Sequence, residues 1–314
     1  MSLLPVEPAH RLAARAEERR WLITGLWSEE AVGIVGGEPK CCKSFLALDM
    51  AVSVASGTPC LRRFPVTHAG RVLLYAAEDA LHVVRRRLEG ICAAAAVALS
   101  DLDVQVITAP TVRLDLEADR ASLDETVAKL RPRLLVLDPF VRLHRVDENA
   151  SGEVAPLLAY LREMQRRHGV AVAVVHHAKK GGGNVRAGQA LRGSSEFHAW
   201  GDSNLYLRRH GDDLTLTVEH RAAASVPAVA LDLAQRGDAL ALEVIERGAP
   251  AESAPISVDE RITTALSRAG GPMPLPDLRA ACRLRNATLC ARLAALTADG
   301  RVTRSGDGYC LAAT

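Results

Sequence analysis

Eight consecutive residues, Gly37-Glu38-Pro39-Lys40-Cys41-Cys42-Lys43-Ser44, have the types and spacing to hold a row of phosphates. They follow an apolar run, Val32-Gly33-Ile34-Val35, and lead into Phe45-Leu46-Ala47-Leu48, which has helical spacing. A strand that feeds a tight loop and then a helix turns backbone N–H groups and the positive end of the helix toward an anion. In the pattern G-x-x-x-x-G-K-[ST], the lysine reaches the outer phosphates and the hydroxyl binds magnesium. The expected ligands are therefore ATP and Mg²⁺. Gly37 through Phe45 form the binding set, with Lys43 also catalytic and Ser44 a metal ligand. One position departs from the pattern, which asks for glycine where Cys42 stands. A bare Cα lets the backbone approach a phosphate closely, so Cys42 leaves two outcomes open, weakened binding or a blocked site. Cys41 and Cys42 beside a helix N-terminus also raise the expectation of a lowered thiol pKa.

Further residues could complete a phosphoryl-transfer site. Asp138 ends the apolar run Leu134-Leu135-Val136-Leu137, and a carboxylate at a strand tip can hold a water of Mg²⁺. The plain alternative is a helix-capping Asp. Glu78 follows Val72-Leu73-Leu74-Tyr75-Ala76-Ala77. At that strand end it would face the crevice where open α/β sheets bind ligands, and it could take a proton from water. Asp79 is its competitor, and both could simply cap the helix that begins near Leu81. His176-His177 end the run Val170–Val175, and His177 is the candidate reporter of the terminal phosphate. Beyond it lies a basic, glycine-rich segment in which Lys179, Lys180, Arg186 and Arg192 are candidate contacts to single-stranded DNA. Arg221 stands at a strand end distant from the loop in sequence. Such an arginine could serve a neighbouring subunit's nucleotide and stabilise charge in the transition state. Arg208 and Arg209 are reserve candidates for that role.

Apolar runs that alternate with amphipathic ones must position these groups. Val32–Val35, Val72–Tyr75, Val104–Ile107, Leu134–Leu137 and Val170–Val175 read as buried strands. Lys43–Ser56, Leu81–Ala93, Ser122–Lys129 and Glu153–Arg167 read as the helices between them. This alternation predicts an α/β fold with a mostly parallel sheet. Leu205–Leu207, Leu214–Val218, Val229–Leu233 and Leu240–Ile245 read as an antiparallel extension. The expected domains are a helical arm over 1–20, an ATPase domain over 21–247, a linker over 248–258 and a winged helix-turn-helix over 259–314. In the last, three helices precede a hairpin turning at Gly306-Asp307-Gly308. Arg285, Arg292 and Arg304 are its candidate contacts to duplex DNA; a winged helix used only for protein contact is the alternative.

Composition narrows the function classes. A net charge of +2 excludes a globally basic nucleic-acid surface, and 4% aromatic residues argues against base stacking as the binding mode. Seven cysteines with no C-x-x-C pair speak against a disulfide framework or a zinc site. The absence of a long apolar stretch predicts no signal peptide and no membrane span, and hence a cytoplasmic protein.

Several of these motifs occur in a known order. Gly37…Lys43-Ser44, Ala76-Ala77-Glu78-Asp79, Leu137-Asp138-Pro139, Asp147-Glu148-Asn149-Ala150-Ser151-Gly152, His176-His177-Ala178-Lys179 and Arg192-Gly193-Ser194-Ser195 resemble the RepA-type hexameric plasmid replicative helicases. These are RecA-like ATPases, also grouped as an AAA_25 family. The resemblance spans about residues 20–245. It implies a RecA-like core, a homo-oligomeric ring and ATP-driven action on DNA. It further implies Lys43 and Ser44 on phosphate and magnesium, Glu78 as base, Asp138 as the strand-tip carboxylate and His177 as sensor. Leu205–Arg221 resembles the segment that carries the trans-acting arginine in DnaB-type helicases. There the pattern is Lys-x-Arg, and here it is Glu219-His220-Arg221. A different class of function also fits the residues: a nucleotide-sensing DNA-binding regulator with little turnover because of Cys42.

Overall fold

In a strand, successive side chains point to opposite faces of the sheet, and this alternation organises the larger unit. The computed structural model describes residues 4, 6–12, 21–177, 196–224, 226–236, 239–245, 258–282, 284, 286–306 and 308–312. The chain divides into two compact units, Met1–Glu246 and Arg247–Thr314. The first opens with a small hairpin, β1 (Trp21–Ile23) and β2 (Trp27–Ser28). There follow β3 (Val32–Gly37), α1 (Lys43–Ser56), β4 (Val72–Ala76), α2 (Leu81–Ala94), β5 (Val104–Val106), α3 (Glu117–Leu130), β6 (Leu134–Asp138), α4 (Ser151–His168) and β7 (Ala171–His177). After the short α5 (Glu196–Trp200) come β8 (Ser203–His210), β9 (Asp213–His220), β10 (Val229–Arg236) and β11 (Ala239–Val244).

Nine of the described strands form one sheet, in the order β11-β10-β9-β8-β3-β7-β6-β4-β5. The six from β8 to β5 run parallel, and β9, β10 and β11 are antiparallel. Val72, Leu74, Leu134, Val136, Ala171, Ala173 and Val175 face α1 and α2. The alternate residues Leu73, Tyr75, Leu135, Leu137, Val172 and Val174 face α3 and α4. Both faces of the parallel strands are thus buried, which is why these strands read as unbroken apolar runs. The antiparallel flank folds back over the α1–α2 layer, so that β11 lies against α2. Gly90 permits this approach, since a Cβ there would stand 3.0 Å from the Leu240 carbonyl oxygen. Asp49, fully buried in α1, accepts from Arg62 at 2.5 Å and from the Leu61 N–H at 2.7 Å. Arg62 also donates to the Leu242 carbonyl at 2.6 Å, which ties β11 to the same helix.

Two expectations change. Helix α3 begins at Glu117 rather than Ser122. Its first turn carries Glu117 and Asp119 at the positive end of the helix, and only Leu123 and Val127 are buried, so apolar spacing did not mark its start. β8 is not part of the antiparallel group alone, since it pairs parallel with β3 before turning into β9. In the arm, Ala9–Arg11 form a 3₁₀ turn, and the rest of the expected helical segment, 13–20, lies outside the described residues.

The second unit holds α6 (Val258–Ala269), α7 (Leu275–Cys282) and α8 (Asn286–Ala298), followed by the hairpin β12 (Val302–Ser305) and β13 (Gly308–Leu311). Ile262, Leu266, Leu278, Leu289, Leu293, Leu296 and Val302 form its core. Met273 and Tyr309 exchange both backbone hydrogen bonds, at 2.8 and 2.9 Å, which joins the hairpin to the segment before α7. Among the described residues of the chain, no helix is long and apolar enough to cross a membrane.

Candidate active site

Strand register brings the predicted residues to one edge of the sheet. Gly37 is level with His177 across β3 and β7, and Ala76 is level with Asp138 across β4 and β6. A cleft of about 350 Å³ opens at these strand ends. Lys40, Cys42, Lys43, Ser44 and Phe45 line it from the loop and α1; Glu78, Asp138 and His177 line it from the strand tips.

The loop is closed on its own lysine. Lys43 is only 6% exposed and its Nζ donates to the Glu38 carbonyl at 2.8 Å. The buried Cys41 thiol donates to the same carbonyl at 2.8 Å. Gly37 adopts φ +154°, and a Cβ there would fall 2.3 Å from the Leu207 carbonyl oxygen and 2.6 Å from Cys41 Sγ. Cys42, at φ +64° and ψ +25°, takes the left-handed conformation that glycine would adopt. For a residue with a Cβ this costs about 1–2 kcal/mol. The Arg209 guanidinium donates to Cys42 Sγ at 3.5 Å. Burial pushes the Cys41 thiol above its ordinary value, against the opposing pull of Lys43. This corrects the expectation of an activated thiol at Cys41: desolvation of the thiolate outweighs the favourable charge beside it.

Asp138 is 8% exposed and accepts a hydrogen bond from the Ser44 hydroxyl. Burial raises its carboxyl to about 6. The Ser44 bond and Lys43 act in the opposite sense, while the negative charges of Asp79 and Glu78 add to the rise. Glu78 accepts from Arg142 Nε at 2.8 Å. Asp79 pairs with Arg87, whose guanidinium lies over the Phe45 ring at 5.2 Å. Asp79, Arg87, Pro139 and Val175 also line the cleft. Arg87 and Arg142 escaped the sequence reading because neither sits in a motif. The only trace of Arg87 is an acid at the mouth of α2 and an arginine eight positions on.

The two adjacent histidines separate by strand alternation. His177 lines the cleft. His176 is buried on the opposite face, stacked on Phe197 with ring centroids 4.1 Å apart. Its Nδ1 is 3.7 Å from Glu148, which also lies 3.6 Å from His144.

Arg221 is not brought to this cleft. It follows β9 beyond the other end of β3, where it donates to the Ala199 carbonyl and lies 3.7 Å from Asp202. Arg208 and Arg209 stand at the loop end, since Leu207 is level with Gly37. Lys179, Lys180, Arg186, Arg192 and Arg285 lie outside the described residues. In the second unit, Arg292 grips Asp259 through Nε at 2.8 Å and through Nη2. Arg304 lies over the Tyr309 ring at 5.8 Å.

The sequence profile of the AAA_25 family, described as an AAA domain, matches residues 2–183, more than half of the chain. The chain belongs to this family. Two solved structures resemble this AAA_25 protein. The crystal structure of the RadB recombinase is 17% identical and matches with a TM-score of 0.51, over 69% of this chain and 92% of its own. A KaiC-like protein from the hyperthermophilic archaeon Pyrococcus horikoshii is 13% identical, with a TM-score of 0.49 over 71% of this chain and 93% of its own. The RadB likeness is one of fold: the AAA_25 chain has the RecA-like P-loop fold, with a mostly parallel central sheet.

Proposed function

We propose that this AAA_25 protein is a ring-forming, Mg-ATP-dependent ATPase that acts on DNA in a helicase-like way. The observation that carries the reading is the convergence of Lys43, Ser44, Glu78, Asp138 and His177 on one cleft. The residues fit the ligands. The Ser44 hydroxyl already meets the Asp138 carboxylate, the donor pair suited to a magnesium ion and one of its waters. Lys43 is held by the Glu38 carbonyl and, more loosely, by Cys41 Sγ at 3.8 Å, contacts that a phosphate oxygen can replace. Bound magnesium would supply charge neutralisation on the phosphates. Lys43 then orients the outer phosphates, and Ser44 and Asp138 hold the metal side. Glu78 accepts the proton of the attacking water. His177 contacts the terminal phosphate and links its presence to the basic segment 178–195, the proposed path for single-stranded DNA.

Arg209, near the end of β8, is the stronger candidate for the arginine that acts on a nucleotide. It stands at the loop end, where it meets Cys42 Sγ at 3.5 Å, whereas Arg221 donates to the Ala199 carbonyl at the other end of β3. The three helices and hairpin of the second unit support a winged-helix reading, with Arg285 and Arg304 as DNA contacts. Arg292 is the weaker of the three because its Nε and Nη2 already donate to Asp259.

The left-handed backbone at Cys42 favours a second reading, a nucleotide-sensing DNA-binding regulator with little turnover. One assay separates the two: ATP hydrolysis with and without single-stranded DNA, in wild type, Lys43→Ala and Cys42→Gly. The motor reading expects DNA-stimulated turnover that Lys43→Ala abolishes. Silence in wild type with recovery in Cys42→Gly supports the regulator, and silence in both overturns the motor.

A further inference from the structure

Two side chains of the loop donate to one acceptor, the Glu38 carbonyl. Lys43 Nζ reaches it at 2.8 Å, and the Cys41 thiol reaches it at 2.8 Å. Lys43 Nζ also lies 3.8 Å from Cys41 Sγ, so the three groups form a closed triangle. The two donors differ in their surroundings. Lys43 lines the cleft, and Cys41 does not. The thiol is fully buried, and Gly37 leaves the room for it, since a Cβ there would fall 2.6 Å from Cys41 Sγ. Burial raises the thiol above its ordinary pKa, so at neutral pH it keeps its proton and stays a donor.

We propose that Cys41 is a positioning residue that keeps the Glu38 carbonyl hydrogen-bonded when Lys43 turns from it to the phosphates of a nucleotide. The inference rests on the reading of Lys43 as a phosphate ligand. Binding trades the lysine's bond to Glu38 for bonds to phosphate oxygens. A carbonyl stripped of its donors inside a protein costs free energy comparable to a lost hydrogen bond. The trade therefore costs least where Glu38 retains a second donor. Cys41 supplies one from the same loop, on the side away from the cleft, where an arriving phosphate does not compete for it. Its thiol then acts on nucleotide affinity through Glu38 and Lys43, with no contact to the ligand.

The test is calorimetric titration of the full-length protein with Mg²⁺ and a non-hydrolysable ATP analogue, in wild type, Cys41→Ala, Cys41→Ser and Lys43→Ala. Melting temperatures of the ligand-free proteins and kcat and KM for ATP accompany it. Cys41→Ala is expected to weaken binding about five- to tenfold, the low end of the cost of an orphaned acceptor because Glu38 is half-buried. KM rises by the same factor while kcat stays within about twofold of wild type. Cys41→Ser restores a donor and binds within about twofold of wild type, even where both variants melt at lower temperature. A merely structural role would weaken binding in step with the melting temperature in both. Unchanged binding in Cys41→Ala overturns the inference, as does an equal loss in the Ala and Ser variants or a fall in kcat at constant KM. Lys43→Ala tests the underlying reading separately. If it binds like wild type, Lys43 is not a phosphate ligand. If it loses binding while Cys41→Ala matches wild type, the lysine's role stands and that of Cys41 falls. A wild type that does not bind overturns both.

Discussion

The two ends of β3 carry similar residue types and put them to different use. At the C-terminal end, Lys43 is held by one carbonyl and a weak contact to Cys41 Sγ, and burial raises the Asp138 carboxyl to about 6. Such groups keep their present contacts weakly enough for a ligand to replace them. At the N-terminal end, Asp202 accepts from the Val32 N–H at 3.3 Å and from both terminal nitrogens of Arg162, and Arg221 lies beside it. Arg162 also donates to the Trp200 carbonyl at 2.5 Å and lies over the Trp200 ring. Asp202 is saturated. What separates a site from a staple is not residue type but whether the charges are already satisfied.

Six substitutions break or sharpen that contrast. Lys43→Ala is expected to lower turnover by about 10²–10³-fold, the usual loss when a preorganised donor is removed, with an unchanged melting temperature. Arg162→Ala should do the reverse. It should cost about 2–3 kcal/mol in urea unfolding, because a carboxylate loses its charged donors, and leave ATP affinity intact by calorimetry. Asp138→Asn should abolish turnover yet stabilise the ligand-free protein at neutral pH by about 1–3 kcal/mol. The sign follows from the raised carboxyl: between pH 4 and about 6 the unfolded chain releases this proton while the folded chain keeps it, so stability falls as pH rises across that window. Urea midpoints at pH 5 and pH 7 should show this slope in wild type and not in the variant. Cys42→Gly should gain about 1 kcal/mol by relieving the left-handed backbone, read as a higher urea midpoint, with tighter ATP binding. Arg221→Ala should change stability by about 0.5 kcal/mol or less and leave ATP turnover intact, whereas Arg209→Ala should reduce it. If Arg221→Ala instead silenced ATP turnover, the roles assigned to the two ends would have to be exchanged.

Much of this was legible in the sequence because the parallel strands are buried on both faces. Leu134–Leu137 and Val170–Val175 stand out as apolar runs, and the groups at their tips, Asp138 and His177, follow from strand direction alone. What stayed hidden depended on contacts between distant segments. Arg142 meets Glu78 across 64 positions, and Arg221 meets Asp202 because β8 and β9 pair in one particular register. A strand-end arginine looks the same in sequence whether it faces a ligand or a neighbouring carboxylate. Likewise β8 reads as one of several similar strands, and only its parallel pairing with β3 makes it the hinge between the two halves of the sheet.

The thiol of Cys41, tucked under the loop against Glu38, has a practical corollary. Adjacent sulfurs on one backbone sit in different compartments, one sealed and one facing the cleft. An alkylating dye should therefore mark Cys42 at a rate that nucleotide suppresses. Cys41 should stay silent until the loop itself comes apart. Two neighbouring atoms would then act as separate gauges, one of cleft occupancy and one of local unfolding, already built into the unmodified chain.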